Sequence, residues 1–533
     1  MRNFSSYGPV DTELYYYAPR EELIEHALAQ LLGKNPEKGG HYFTVWGSRQ
    51  TGKTWILQQV LFRLRKDERF DVVKINIETM KMEEDTGRIL RYIEDKLAMS
   101  LNKKAAGINT PEKFEQLFSK ENLEKPLILI IDEFDAICED AISAIVGAFR
   151  NIYIARQEQH DKKTGEKDYL LHSVALIGVR SVLGIENAKG SPFNVQRSMN
   201  IPNLTFEEVE TMFRWHEKES GQRVDQEVID RLFYETKGQP GLTCWFGELL
   251  TEGWEGFRVS SDMPMDMELF EEAYGAASQI LPNNNILNII SKAKQEPAGR
   301  IVLDMFRTDT KLQFKYDNPD HNFLYMNGVI DREKLEAGKY HLKFPCPFVQ
   351  KRLFNYFADQ ITGYVGKLYE PFEDLDDAIN ETEINIKNIM KRYHRYLLNN
   401  KHWLLKNAPR RTDLKIYEAV FHFNFYMYLS SFMMDFNGHV YPEFPTGNGK
   451  IDLLIKYKGK TYGVELKSYK NRSAYNTAII QAAKYGHQLG LDKISLIFFV
   501  ESIDEESRKK FEVDFEDKET GVRVEPIFVE TAE

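Results

Sequence analysis

Gly47-Ser48-Arg49-Gln50-Thr51-Gly52-Lys53-Thr54 fits the spacing G-x-x-x-x-G-K-[ST], between an apolar run at 42–46 and helical periodicity that starts near Trp55. Such a loop binds phosphate. Glycines let backbone amides close on phosphate oxygens, Lys53 neutralises β/γ charge, and the Thr54 hydroxyl can ligate Mg²⁺. Gly47, Arg49, Gln50, Thr51, Gly52, Lys53 and Thr54 are therefore the candidate ATP ligands. The loop needs a carboxylate on a neighbouring strand, and the run ending Ile131-Asp132-Glu133-Phe134-Asp135 supplies it. Asp132 would hold Mg²⁺ through water and Glu133 would orient the attacking water. Arg180, at the end of the next apolar run, is placed to sense the γ-phosphate, with a surface ion pair as its equal alternative.

A second set of acidic residues lies far along the chain. Asp452 and Glu465-Leu466-Lys467 flank a turn at Lys458-Gly459-Lys460, so a hairpin would bring them side by side. Period-two alternation puts Glu465 and Lys467 on one face and Leu466 on the other. Two carboxylates and a lysine suit phosphodiester hydrolysis: the acids hold one or two Mg²⁺, or Mn²⁺ in their place, and the lysine steadies phosphate charge. Glu418, in a preceding apolar helix, is the candidate third acidic ligand, and Gln481 the candidate for orienting water or phosphate. Residues 385–415 hold nine Lys or Arg and one acid, Asp413, with Tyr393, Tyr396 and Trp403 interleaved. Lys387, Lys391 and Arg395 recur every fourth residue and would form one helical stripe able to follow a nucleic-acid backbone, DNA in the first instance. The alternative is that the stripe neutralises the acidic segment before it.

The elements that must position these residues follow from composition and pattern. With 533 residues, 42% apolar, 28% charged and 13% aromatic, the chain can build several cores and is not a disordered polymer. Its 70 basic against 81 acidic residues give a net charge of −11, which excludes a globally basic nucleic-acid binder, so any such contact is local. Three distant cysteines without C-x-x-C spacing suggest neither disulfides nor zinc. Apolar runs such as 127–131 fall far short of the ~18 residues of a membrane span, and the N-terminus shows no apolar signal core; a soluble, cytoplasmic protein without membrane partners is expected. Four segments are predicted. Residues 1–256 alternate strands at 42–46, 72–77, 127–131 and 174–179 with helices, the pattern of a parallel sheet. Residues 257–368 are helical and then give strands at 323–330 and 340–344, a winged-helix-like order. Residues 369–414 form an acidic and then basic connector, with seven acids and no base between 369 and 383. Residues 415–533 form a smaller α/β unit: helix 416–434, strands 440–444, 451–457 and 461–466, helix 478–489, strand 494–500.

Residues 1–255 resemble the AAA-like members of the STAND class of P-loop ATPases through Tyr15-Tyr16-Tyr17-Ala18-Pro19-Arg20, the Ser48–Lys53 loop, Ser191-Pro192-Phe193-Asn194 leading to Ile201-Pro202-Asn203-Leu204-Thr205, and Gly238-Gln239-Pro240-Gly241, which is similar to that class's G-x-P lid signature. The resemblance implies a helical lid and a nucleotide-dependent switch. Residues 415–505 resemble the PD-(D/E)XK nuclease superfamily, with Glu418, Asp452, Glu465, Lys467 and Gln481 at its motif positions; Ile451 replaces the nominal proline before Asp452. The expected fold class is thus α/β: a P-loop NTPase parallel sheet with a helical lid, a winged-helix-like middle domain, and a C-terminal PD-(D/E)XK nuclease domain. The expected function is an ATP-regulated, Mg²⁺-dependent nuclease, by analogy in prokaryotic defence against foreign DNA. Processing of mobile or recombining DNA, or an ATPase whose C-terminal domain only binds nucleic acid or a partner, are the alternatives. Subunit number, including any homo-oligomer, the DNA or RNA preference and the trigger are not legible.

Overall fold

The structure, a computed structural model, describes residues 1–8, 10–178, 198–307, 312–335, 338–362, 365–369, 373–404, 418–446, 449–469 and 471–531. It divides into two compact units, residues 1–292 with 315–331, and residues 293–314 with 332–533. The division falls inside the stretch read as a middle domain. No helix among the described residues is long and apolar enough to cross a membrane.

The first unit begins with helix α1 (Glu21–Leu32), strand β1 (Tyr42–Trp46), α2 (Lys53–Leu64), β2 (Asp71–Asn76), α3 (Thr86–Ser100), α4 (Pro111–Gln116), β3 (Leu127–Asp132), α5 (Glu139–Glu158), β4 (Leu171–Gly178) and β5 (Met199–Asn200). The strands form one parallel sheet in the order β2-β3-β4-β1-β5. β4 therefore lies between the loop strand β1 and the carboxylate strand β3, which are not direct neighbours. Every residue of β3 is buried because both faces are covered. Leu127, Leu129 and Ile131 join the core that holds Ile89, Ile93 and Phe149, while Ile128 and Ile130 join the core that holds Ile24, Trp55 and Val60. Burying each such side chain contributes roughly 1.5–3 kcal/mol, and this double layer fixes the strand ends that carry the site.

Helices α6 (Phe206–Ser220), α7 (Gln226–Thr236) and α8 (Pro240–Glu252) follow, then a two-stranded ribbon of β6 (Gly253–Trp254) and β7 (Phe257–Arg258), and α9 (Met267–Gln279) and α10 (Asn284–Ala293). Local signals set these starts: Thr205 and Glu208 make a reciprocal capping box for α6, and Gln239 caps α8 with Pro240 in its first turn.

Helix α11 (Ala298–Arg307) opens the second unit and α12 (Pro319–Met326) returns to the first. The expected strand at 323–330 is a correction. Asn318 accepts from the amides of Asp320 and His321, Pro319 occupies the first turn, and the apolar run is helical until Gly328 at φ 71°. The hairpin is formed instead by β8 (Asp331–Lys334) and β9 (Tyr340–Lys343).

Helices α13 (Pro347–Thr362), α14 (Ile386–Leu404) and α15 (Glu418–Met434) come next, then β10 (His439–Thr446), β11 (Gly449–Tyr457), β12 (Lys460–Ser468), α16 (Arg472–Gln488), β13 (Lys493–Val500), α17 (Glu505–Phe511), β14 (Phe515–Glu516) and β15 (Arg523–Glu530). The second sheet runs β10-β11-β12-β13-β15-β14, antiparallel from β10 to β12, parallel from β12 through β15, and closed by antiparallel β14. α15 is apolar on nearly every side, and Phe423, Phe425, Tyr428, Leu429 and Phe432 are all buried.

Candidate active sites

The first site is built where β1 ends. Gly47 has no room for a side chain: a Cβ would stand 2.9 Å from Thr51 Oγ1 and 3.1 Å from the Ile201 carbonyl. Gln50 at φ 57° and Gly52 at φ 89° bend the loop before Lys53 opens α2. Lys53 is buried and donates to the Gly47 and Ser48 carbonyls at 2.9 and 2.8 Å. Burial pushes its ammonium down to about 8, opposed by the nearby carboxylates of Glu133, Asp135 and Asp132. Phosphate oxygens are stronger partners for that charge than loop carbonyls are. Thr51 Oγ1 donates to the Ser48 carbonyl at 3.0 Å. Thr54 is half-buried in the first turn of α2, and Arg49 is exposed.

Asp132 ends β3 and is buried; its Oδ1 accepts from the Glu133 amide at 3.1 Å. Its Oδ2 takes no aligned hydrogen bond, although the Lys74 ammonium stands 3.0 Å away. A buried carboxylate oxygen with an unused lone pair beside the phosphate loop fits hydrated Mg²⁺. Glu133 lies in the left-handed region at φ 57°, a strained position for a non-glycine residue at a strand's end. Burial, then Asp135 and Asp132, push its carboxyl above the usual range, which suits a group that must hold or accept a proton from water. Asp135 packs against Gly178 of β4, where a Cβ would meet its Oδ1 at 2.5 Å. Arg180 and 191–194 lie outside the described residues.

Sequence reasoning overlooked the clamp between α8 and the loop. Gln239 Nε2 donates to the Arg49 carbonyl at 2.9 Å while its Oε1 accepts from the Leu242 amide. The Gly241 amide donates to the Gln50 carbonyl at 3.1 Å, and Gln50 Nε2 donates to the Ser6 carbonyl at 3.1 Å. Ser6 in turn donates its amide and hydroxyl to Glu248 of α8. The only legible signal was the Gly-Gln-Pro-Gly string itself.

The second site lies in the other unit. β11 and β12 pair antiparallel from Tyr457 opposite Lys460 to Leu453 opposite Val464, which leaves Asp452 and Glu465 as the next residue on each strand. Asp452 Oδ2 accepts from the Leu466 amide at 2.6 Å, and Lys467 Nζ stands 3.0 Å from Glu465 Oε1. Glu465 is buried and Lys467 half-buried. Glu465 and Lys467 register with Leu496 and Phe498 of β13, which pack on Ala478, Ile479, Ala482 and Ala483 of α16. Gln481 thus rides on the helix that covers their face of the sheet, and its Nε2 donates to the Tyr485 hydroxyl. Tyr485 was not singled out from sequence; its spacing of four from Gln481 on one helix was the signal. Glu418 opens α15, but its side chain lies outside the described residues. Two carboxylates beside one lysine form a donor set that fits a divalent cation, although no group of three or more metal-ligating side chains exists among the described residues.

Two of the three cations of the basic stripe are paired to acids. Lys387 pairs with Asp514 at 2.8 Å and Arg395 with Glu373 at 3.0 Å; Lys391 is exposed and donates to Asn388 at 3.1 Å. Arg392 pairs with Glu373 and Asp377, so the acidic connector is clamped to α14 rather than merely solvated. Tyr393 and Tyr396 are buried and donate to Asn424 and to the Val365 carbonyl, which removes them as stacking platforms for bases. They face inward because a three-residue spacing puts both on the apolar side of α14.

Residues 43–172 match the family described as AAA, the ATPase family associated with various cellular activities, and the N-terminal half carries an AAA-type P-loop ATPase domain. No curated protein matches the chain. Among solved structures the chain is similar to the Aeropyrum pernix ORC1 protein in complex with DNA, at 15% identity, covering 63% of this chain and 92% of that one with TM-score 0.34. It is similar to the Walker-type ATPase PABY2304 of Pyrococcus abyssi, at 16% identity, 66% and 99% coverage and TM-score 0.41. It is also similar to the Thermotoga maritima RuvB Holliday junction branch migration motor, at 9% identity, 61% and 92% coverage and TM-score 0.34.

Proposed function

We propose that this chain is an ATP-regulated, Mg²⁺-dependent nuclease, in which a STAND-like ATPase switch controls a C-terminal DNA-cleaving unit of the PD-(D/E)XK kind. At the first site Lys53 and the loop amides bind the triphosphate, Thr54 and Asp132 hold the magnesium, and Glu133 orients water. Mg²⁺ supplies charge neutralisation between the phosphates when bound. At the second site Asp452 and Glu465, with Glu418 as a third acid, hold the divalent ion that activates water. Lys467 steadies charge on the scissile phosphate and Gln481 orients water. Prokaryotic defence against foreign DNA fits this pairing of a switch with a destructive activity, as does processing of mobile DNA.

The observation that carries the nuclease reading is that Asp452 accepts from the amide of Leu466, the residue between Glu465 and Lys467, with Lys467 3.0 Å from the buried glutamate. A salt bridge made only for stability has little need to bury a carboxylate beside a second one. The test incubates the protein with linear, circular and single-stranded DNA, with and without ATP and Mg²⁺. Wild type should cut at least one substrate, and Glu465→Ala and Lys467→Ala should reduce the cutting by a factor of about 10² or more. Identical products from wild type and both variants would leave the second unit as a binding module and ATP hydrolysis as the sole chemistry.

A further inference from the structure

Lys74 lies on β2, where Val73 and Ile75 face the core of α3 and α5. Alternation turns Lys74 to the opposite face, the side on which β3 presents Ile128 and Ile130 to α1 and α2. The register pairs Lys74 with Ile130 and Asn76 with Asp132, so Lys74 stands two residues short of the carboxylate and its long side chain runs the remaining distance. Its ammonium comes to rest 3.0 Å from Asp132 Oδ2, with side-chain exposures of 15% and 3%. The contact is one of charge without hydrogen-bond alignment, since Oδ2 keeps its lone pair unused. Asp132 Oδ1 is already turned to the Glu133 amide. The cation therefore occupies the side of the carboxylate that remains for a metal.

From this we infer that Lys74 is a positioning residue of the ATPase site: in the metal-free protein it serves as the counter-ion of Asp132 and holds Oδ2 toward the phosphate loop, and it yields that oxygen when Mg²⁺ arrives with the nucleotide. The inference rests on the reading of Asp132 as the magnesium-holding carboxylate. Lys74 thereby sets the magnesium requirement of the site, because metal and ammonium compete for one oxygen.

The experiment titrates a fluorescent ATP analogue into the full chain at a series of Mg²⁺ concentrations, and follows melting temperature in the same buffers. In Lys74→Met the half-saturating Mg²⁺ for tight nucleotide binding should fall about fivefold, the size expected when a half-buried ion pair stops competing. Its melting temperature should drop without Mg²⁺ and recover with Mg²⁺ and nucleotide. Lys74→Arg should stay near wild type in both readings. If Lys74→Met does not fold, Lys74→Gln carries the same expectation. A half-saturating Mg²⁺ that is unchanged or raised in the neutral variants overturns the inference and leaves Lys74 a structural ion pair. Wild type whose nucleotide binding ignores Mg²⁺ overturns the reading of Asp132, and is distinguished by failing before any variant is compared.

Discussion

At the residue scale, the first unit keeps one ionisable group neutral by design of its surroundings. His172 is buried, with Nδ1 2.9 Å from Thr164 Oγ1 and Nε2 3.3 Å from the Leu32 carbonyl. The carbonyl can only accept, which assigns the proton to Nε2 and leaves Nδ1 to accept from Thr164. Burial and then the nearby Arg156 push its imidazolium down to about 3 from an ordinary 6.5. Between those values the unfolded chain binds a proton that the folded chain refuses, so stability falls on acidification, by at most ~1.4 kcal/mol per pH unit. Urea midpoints measured from pH 7 to 5 should decline in wild type and decline less steeply in His172→Gln; parallel slopes would contradict this account. The residues most legible in sequence were those whose partners are close along the chain. Gly47 to Thr54 close a loop within eight positions, and Glu465 and Lys467 share a strand. Lys74 was illegible because its role arises from strand register between β2 and β3, with 57 residues separating it from Asp132 in sequence.

At the element scale, helix α8 and the phosphate loop are in contact through atoms with no slack. A Cβ on Gly241 would stand 2.3 Å from Gln50 Oε1 and 2.6 Å from Gln50 Cβ. Gly241→Ala should therefore push α8 from the loop and weaken nucleotide binding about tenfold, measured by calorimetry. Gln50→Gly should restore most of that loss in the double variant, because it removes both clashing atoms and suits φ 57°. Additive losses would contradict the contact. A second element touches the loop from later in the chain: Tyr325 of α12 lies edge-on to Trp46 at 6.1 Å, and a Cβ on Gly328 would meet Ser48 Cβ at 2.9 Å. Gly328→Val should likewise weaken nucleotide binding, with Gly107→Ala, where nothing stands within 4 Å, as the control for strain at positive φ alone. Strands β1 to β4 and β10 to β13 were readable because buried apolar runs are short and bounded, whereas β5, β14 and the eight-residue β15 were not foreseen. α12 was misread as a strand because eight residues are too few to show a helical period, and the decisive signals, Asn318 and Pro319, lie before the apolar run. The burial of Tyr393 and Tyr396 was not legible for a related reason: a basic helix shows its charges in sequence, but not which face its neighbours cover.

At the scale of the whole molecule, the chain passes between the two compact units at 292–293, 314–315 and 331–332. The short stretch between the last two passages carries α12 and Gly328, the residues that meet the phosphate loop. The division into units was poorly legible, since composition changes little where the chain returns. The net charge of −11 sets a further constraint: with Lys387 and Arg395 paired to acids, each of them would have to exchange a carboxylate for a phosphate to bind a polyanion, and a stripe that makes few such contacts would lose affinity only gently with salt. The most direct test of the account measures ATP turnover and DNA cleavage together, in one reaction, for wild type, Lys53→Ala and Glu465→Ala. Lys53→Ala should lose both activities, whereas Glu465→Ala should hydrolyse ATP at the wild-type rate and leave DNA intact. Undiminished cutting by either variant would contradict it.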